Sequence, residues 1–131
     1  VISSRGIRIG IATDLGHPSP QVVSRLRGCR MVIIESNHDP GLLGGADRPP
    51  SVKERIWGDR GHLSNASAAE LLAGVASEAL TDIFLAHLSA ECNRPELAHR
   101  SALRAAAAGG FSHAAVRLTW ADRVSEVVEY D

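Results

Sequence analysis

Three short apolar runs constrain this chain more than anything else in it: Ile7-Arg-Ile-Gly-Ile-Ala12, Met31-Val-Ile-Ile34 and Ile83-Phe-Leu-Ala86. Each is strand-length and a nearly continuous apolar run. Such runs are what a parallel sheet covered on both faces demands. Helical patterns lie between them. Ser19-Pro20 offers an N-cap and a first-turn proline, Val22, Val23 and Leu26 share one face, and Gly28 stops the helix. Ser67-Ala-Ala-Glu70 reads as a capping box ahead of Leu71, Leu72, Val75, Ala79 and Leu80. Pro95 opens a third helix that runs to about Ala108 and stops at Gly109-Gly110. Arg5-Gly6 reads as a hairpin turn after a strand at Val1-Ile2, and Ala114 to Leu118 and Val124 to Val128 as the last strands. Residues 36–60 hold Pro40, Gly41, Gly44, Gly45, Pro49 and Pro50 with little periodicity, and read as one long loop. The order β-β-α-β-loop-α-β-α-β-β is α/β: a mixed sheet with covering helices, in a single domain over 1–131.

An α/β fold places its site where the strands end, and there this chain turns polar. Asp14 closes Ile11-Ala-Thr-Asp-Leu-Gly16, Glu35-Ser-Asn-His-Asp39 follows the Met31 run, and His87 follows Leu85-Ala86. Asp and neutral His are ligands for zinc, manganese or iron. His62, in Gly61-His-Leu-Ser-Asn65, precedes a helix and titrates near neutrality, which suits a proton donor to a leaving group. Each residue also has a plain structural role open to it. Asp before glycine caps a turn, a single histidine at a strand end is an ordinary structural residue, His62 could cap a helix, and Glu35 to Asp39 could be a polar loop entrance. Asp14 and His87 say more as a pair, since they occupy equivalent points of separate strands, with Thr13 and Ser89 beside them. Asp14, His62 and His87 are therefore expected to converge at one edge of the sheet. His17, His99 and His113 read as surface residues, Trp57 and Trp120 as packing rather than base stacking, and Cys92 as a thiol without a partner at ligand spacing.

Composition narrows the classes. A chain of 131 residues can bury a core as one domain. Its net charge of −1 gives no long-range pull toward nucleic acid or an anionic membrane, which leaves room for a local basic patch. Thirteen of the fourteen basic residues are Arg and Lys53 is the one lysine, a bias read first as coding composition. Cys29 and Cys92 are isolated thiols, as expected in a reducing cytoplasm. No apolar run approaches the ~18 residues of a membrane span, and no signal peptide opens the sequence. Residue 1 is Val and Ile2 follows, as if the chain began inside a strand, so a fragment or processed product is expected.

Four motifs in order carry a resemblance: Ile11-Ala-Thr-Asp-Leu-Gly16; Ile34-Glu-Ser-Asn-His-Asp39; Val52-Lys-Glu-Arg-Ile56 with Gly61-His-Leu-Ser-Asn65; and Leu85-Ala-His-Leu-Ser-Ala-Glu-Cys-Asn-Arg-Pro-Glu-Leu-Ala98. From about residue 7 to residue 98 the chain resembles the WalJ/YycJ group of metallo-β-lactamase-fold hydrolases. The resemblance implies half of an αββα sandwich, two divalent metal ions (zinc or manganese) in the complete domain, and phosphodiesterase chemistry with exonuclease activity on DNA. It makes Asp14 the carboxylate that bridges the metals and His87 the last histidine ligand. His62 resembles the leaving-group histidine of the related tRNase Z enzymes. Glu35, Asn37, His38, Ser64, Asn65 and Ser89 would orient those ligands or touch substrate. The superfamily's His-x-His-x-Asp-His motif is absent, as is the middle histidine ligand, and Arg48-Pro49 stands where the group often has Tyr-Pro.

The expected chemistry is metal-assisted hydrolysis of a phosphodiester in nucleic acid, completed by a missing N-terminal half. Two other readings stand beside it: a non-catalytic module that assembles with a partner half, and a hydrolase of small esters or lactams. Amphipathic helices can cover one sheet face only. The other face is then expected to drive association, with a second copy of this chain as one partner.

Overall fold

Fixed by its apolar runs, the centre of the protein is a five-stranded mixed sheet with strands in chain order. The computed structural model describes residues 1–131. β1 (Ile2–Ser4) pairs antiparallel with β2 (Ile7–Ala12) through a turn in which Arg5 and Gly6 take φ of 49° and 80°. β2, β3 (Met31–Glu35), β4 (Asp82–Ala86) and β5 (Ala115–Leu118) then run parallel. The α/β class and mixed sheet are as expected, and they are consistent with half of a sandwich.

A parallel sheet laid down in chain order, with every crossover on one side, collects its helices on one face. α1 (Pro20–Leu26), α4 (Asn65–Val75) and α5 (Pro95–Gly109) do this. Their side chains Leu26, Leu71, Leu72, Val75, Ala98, Ala102 and Ala106 share one core with Val32, Ile34, Ile83 and Leu85 of the sheet. α5 offers Ala98, Ala102 and Ala106 at four-residue spacing, a stripe small enough to let it lie close against α4. Ser19 caps α1 by accepting a hydrogen bond from Val22 N at 3.3 Å, with Pro20 next, as expected.

Three expectations fail for local reasons. The stretch 36–60 is not one loop: it contains α2 (Pro40–Gly45) and α3 (Pro50–Trp57). The glycines of α2 weaken its propensity, but Asp39 Oδ1 accepts from Leu42 N at 3.0 Å, Pro40 fixes the first turn, and Leu43 is fully buried. The cap of α4 lies three residues before the expected Ser67. Ser64 is the cap, accepting from Ser67 N at 3.1 Å, and the helix ends at Val75, with Leu80 buried beyond it. Residues 124–128 form no strand. The chain after β5 instead folds back over the sheet face that carries no helix.

That face is formed by Ile9, Ile11, Met31, Ile33, Asp82, Phe84 and Arg117, by alternation against the residues that face the helices. Glu126 pairs with Arg117 at 2.7 Å, the Tyr130 hydroxyl donates to Asp82, and the Arg30 guanidinium lies 4.6 Å from the centre of the Tyr130 ring. Met31 and Phe84 are buried, while Ile11 (53% exposed) and Ile2 (62%) stay in water at the β1–β2 side. The face is therefore partly closed by the chain's own tail, not wholly open.

Asp82 anchors this closure. It accepts hydrogen bonds from Thr81 Oγ1 at 2.6 Å, from the Tyr130 hydroxyl and from the Arg117 guanidinium. Burial pushes its carboxyl up, but the three hydrogen bonds outweigh burial and hold it below the ordinary range. A carboxylate lowered in the folded state adds stability that is complete above its unfolded value and is lost as pH falls through the folded one. Asp82→Asn is expected to lower stability at pH 7 by about 1–3 kcal/mol, typical for hydrogen bonds to a charged group. Thermal melts taken progressively below pH 3.8 should bring variant and parent together; a gap that persists in acid would show that charge is not the cause.

Candidate metal centre

Strand register delivers the site. Ala12 lies opposite Ile34, and Glu35 opposite Ala86, so β2, β3 and β4 end side by side. Asp14, Glu35 and His87 thus emerge at one level of three adjacent strands. His62 arrives from the segment that links α3 to α4. One ligand-type atom from each of Asp14, Glu35, His62 and His87 falls within 4.8 Å of the others. Asp14, His62 and His87, far apart in sequence, meet at one sheet edge.

Glu35 is the inner member. It is wholly buried, and its Oε1 lies 2.7 Å from His62 Nδ1 and 2.6 Å from His87 Nδ1. Its Oε2 accepts from the backbone N–H of Leu15 at 3.2 Å and of Leu63 at 3.3 Å. A buried carboxylate needs such donors. The tautomer that satisfies it carries the proton on Nδ1 of both rings, which leaves each Nε2 a free lone pair. The rings stand edge to face, 5.1 Å between centroids. Asp14 Oδ1 lies 3.7 Å from both Nδ1 atoms, and Asp14 is the exposed member, with 67% of its side chain in water.

The donor set fits a divalent ion. The 3.7 Å separations of Asp14 run to the same Nδ1 atoms that Glu35 engages at 2.6 and 2.7 Å, so an ion would take Nε2 of a ring together with the Asp14 carboxylate. Glu35 would then be the carboxylate that orients the rings, the usual company of a metal-binding histidine. The two histidines stand in nearly the same relation to both carboxylates.

The backbone at the site is strained. Arg5 in the hairpin, Asp14 (φ 58°) and His87 (φ 57°) are the non-glycine residues at positive φ. Such positions cost on the order of 1–3 kcal/mol and gather at functional sites. Glycines bring the loops together: a Cβ on Gly61 would lie 2.1 Å from the Ile56 carbonyl oxygen, and one on Gly16 would lie 2.2 Å from the Asp59 backbone.

The remaining sequence candidates build the frame. Asn37 ties three segments: its N–H donates to the Leu63 carbonyl at 2.8 Å, its side-chain amide to the His87 carbonyl at 2.8 Å, and its own carbonyl accepts from Ser89 N at 2.8 Å. Ser89 Oγ accepts from Cys92 N at 3.0 Å. Ser64 caps α4. Asn65 is buried in a polar knot with Ser36 and Asn93: Ser36 Oγ donates to Asn65 Oδ1 at 2.7 Å, and Asn93 Nδ2 donates to the Ser36 carbonyl at 2.8 Å. Sequence reasoning missed Asn93; its only signal was its place two residues before the Pro95 helix start. His38 lies apart from the cluster. It is buried with neither ring nitrogen bonded within the protein, and burial first, then the neighbouring His62, holds it below its ordinary pKa. Cys29 and Cys92 are free and buried, outside the cluster.

No family model matches the chain. Over 104 residues it is 36% identical to the exodeoxyribonuclease YycJ of Bacillus anthracis, a match covering 79% of this chain and 39% of that protein. Over 89 residues it is 36% identical to the exodeoxyribonuclease WalJ of Streptococcus pneumoniae strains D39 and R6, covering 68% of this chain and 33% of those proteins. The chain thus spans less than half the length of these curated relatives.

If Glu35 fixes both rings, Glu35→Gln should release them. The amide offers one acceptor oxygen where the carboxylate offered two, so donors near Oε1 or Oε2 lose their partner. Urea melts are expected to show a loss of about 1–3 kcal/mol. Nitrogen-15 spectra of the rings should pass from one tautomer to a mixture, and an unchanged tautomer pattern would remove Glu35 from this role.

Proposed function

For a chain that is WalJ/YycJ-like in sequence, we propose a role as the C-terminal portion of a metal-dependent phosphodiesterase of the metallo-β-lactamase superfamily, acting as an exonuclease on DNA. The observation that carries the reading is the convergence of Asp14, His62 and His87 on buried Glu35 at the ends of parallel strands. Asp14 and His87 would hold metal, zinc or manganese. A bound divalent ion supplies Lewis acidity toward a phosphoryl oxygen and toward the attacking water. The chain's own residues do the rest. His62 delivers a proton to the leaving oxygen, and Glu35 holds the ring so that the opposite nitrogen faces the reaction and stabilises the imidazolium before transfer. Asn37, by fixing the His87 carbonyl and the Leu63 backbone, keeps the two histidine loops in register. With His62 reserved for the proton, Asp14 and His87 would hold one ion with water in its remaining positions, one protein donor fewer than the usual three at a catalytic zinc. A pair of ions needs ligands from elsewhere, from the remaining length that the relatives possess or from a second copy of the chain. The exposed Ile2 and Ile11 at the β1–β2 side are where such a completing segment would pack.

The geometry treats the two histidines alike, so metal content must separate their roles. Purified 131-residue chain is expected to retain near-stoichiometric zinc or manganese, and Asp14→Ala and His87→Ala to lose it. His62→Ala should keep most of the metal, and in the full-length enzyme should cut turnover by about 10²–10⁴-fold, the usual range for general acid catalysis. Loss of metal in His62→Ala would make it a ligand. No metal in the parent chain would favour a non-catalytic assembly module.

A further inference from the structure

A cleft of about 660 Å³ opens beside His87, between the loop after β4, the start of α5 and the segment after β5. Its volume lies in the range of small-ligand sites. His87 belongs both to this cleft and to the metal cluster, so the cleft leads directly to the centre. Two further lining residues are of the kinds that hold single-stranded nucleic acid. Trp120 was expected to be packing, yet it is 38% exposed and forms part of the wall. The Arg123 guanidinium lies 4.0 Å from the centre of its ring, backing the indole without itself lining the cleft. Arg94 is held by its neighbour: its Nη1 donates to the Asn93 carbonyl at 2.6 Å and its backbone N–H to Asn93 Oδ1 at 2.8 Å. Asn93 is itself locked in the buried knot with Asn65 and Ser36, so Arg94 is presented from a rigid base with its other N–H groups free. Asp122 is the acidic residue on the wall, which directs a phosphate toward the Arg94 side.

We propose that this cleft is a nucleotide subsite of the same nuclease centre: one base of a single DNA strand stacks on Trp120, and Arg94 takes a flanking phosphate. The proposal rests on the phosphodiesterase reading. Stacking on an indole tolerates any base, and a guanidinium contacts the backbone alone, so the subsite grips a strand without selecting sequence. A free strand end laid across it would place the neighbouring phosphodiester toward His87.

The test uses the 131-residue chain and a thymidine tetranucleotide. The two indole N–H signals of nitrogen-15-labelled protein report Trp57 and Trp120, and Trp57→Phe assigns them. Titration is expected to shift the Trp120 signal and leave that of Trp57 in place. Trp120→Ala should weaken binding about tenfold, and Arg94→Gln severalfold with a shallower salt dependence. Both residues are exposed, and the amide spectrum confirms that each variant folds. Equal movement of both indoles, no shift at millimolar tetranucleotide, or parental affinity in both variants would overturn the subsite. Zinc titration of the histidine ring signals in the same samples reads the underlying centre: metal bound without nucleotide sinks the subsite alone, and no metal bound sinks the reading beneath it.

Discussion

A carboxylate shut away from water must be given donors, and Glu35 takes its donors from every segment that builds the site. Two imidazoles share one oxygen and two backbone N–H groups share the other. These partners come from the loops after β2 and β4 and from the approach to α4. Removing any one would leave the buried carboxylate short of a donor, a cost of about 1–3 kcal/mol. The loops are thus fixed less by their own packing than by the need to satisfy one buried group. The polar knot of Ser36, Asn65 and Asn93 sits one residue further along the same strand and ties α4 to the start of α5 in the same way.

The frame was legible where local physics decides it. Continuous apolar runs announced β2, β3 and β4, and Ser19-Pro20 announced α1 with its cap. The strand-end positions of Asp14 and His87 pointed to the edge where both are found. Legibility failed where tertiary contact decides. α2 is written in Gly-rich sequence and held by the Asp39 cap and buried Leu43. The tail alternates like a strand around Val124 but crosses the sheet face, because Asp82 and Arg117 offer it better partners than an edge does. Glu35 was one of five polar residues in a row, and alternation alone sets it on the face opposite Ile34 without showing what it would meet. Its rank above Asn37 or His38 emerges only when His62 and His87 are brought to it.

His38 shows the opposite outcome within the same run. It is as buried as Glu35 but has no bonding partner for either nitrogen. A neutral imidazole tolerates that burial as a carboxylate could not, and its lowered pKa expresses the same fact. Two residues of one motif are therefore both interior, one because it is fully paired and the other because it stays uncharged.

The left-handed backbone at Asp14 and His87 has an evolutionary corollary. At His87 the hydrogen bond to Glu35 offsets the torsional strain, but at the exposed Asp14, glycine would relieve it without taking a donor from Glu35, so selection for thermal robustness alone would replace Asp14 early. Stability and the proposed chemistry pull that position in opposite directions. A lineage that kept the fold but lost the chemistry would be recognisable by glycine there, and a thermostability screen run without an activity screen would drift toward the same inert protein.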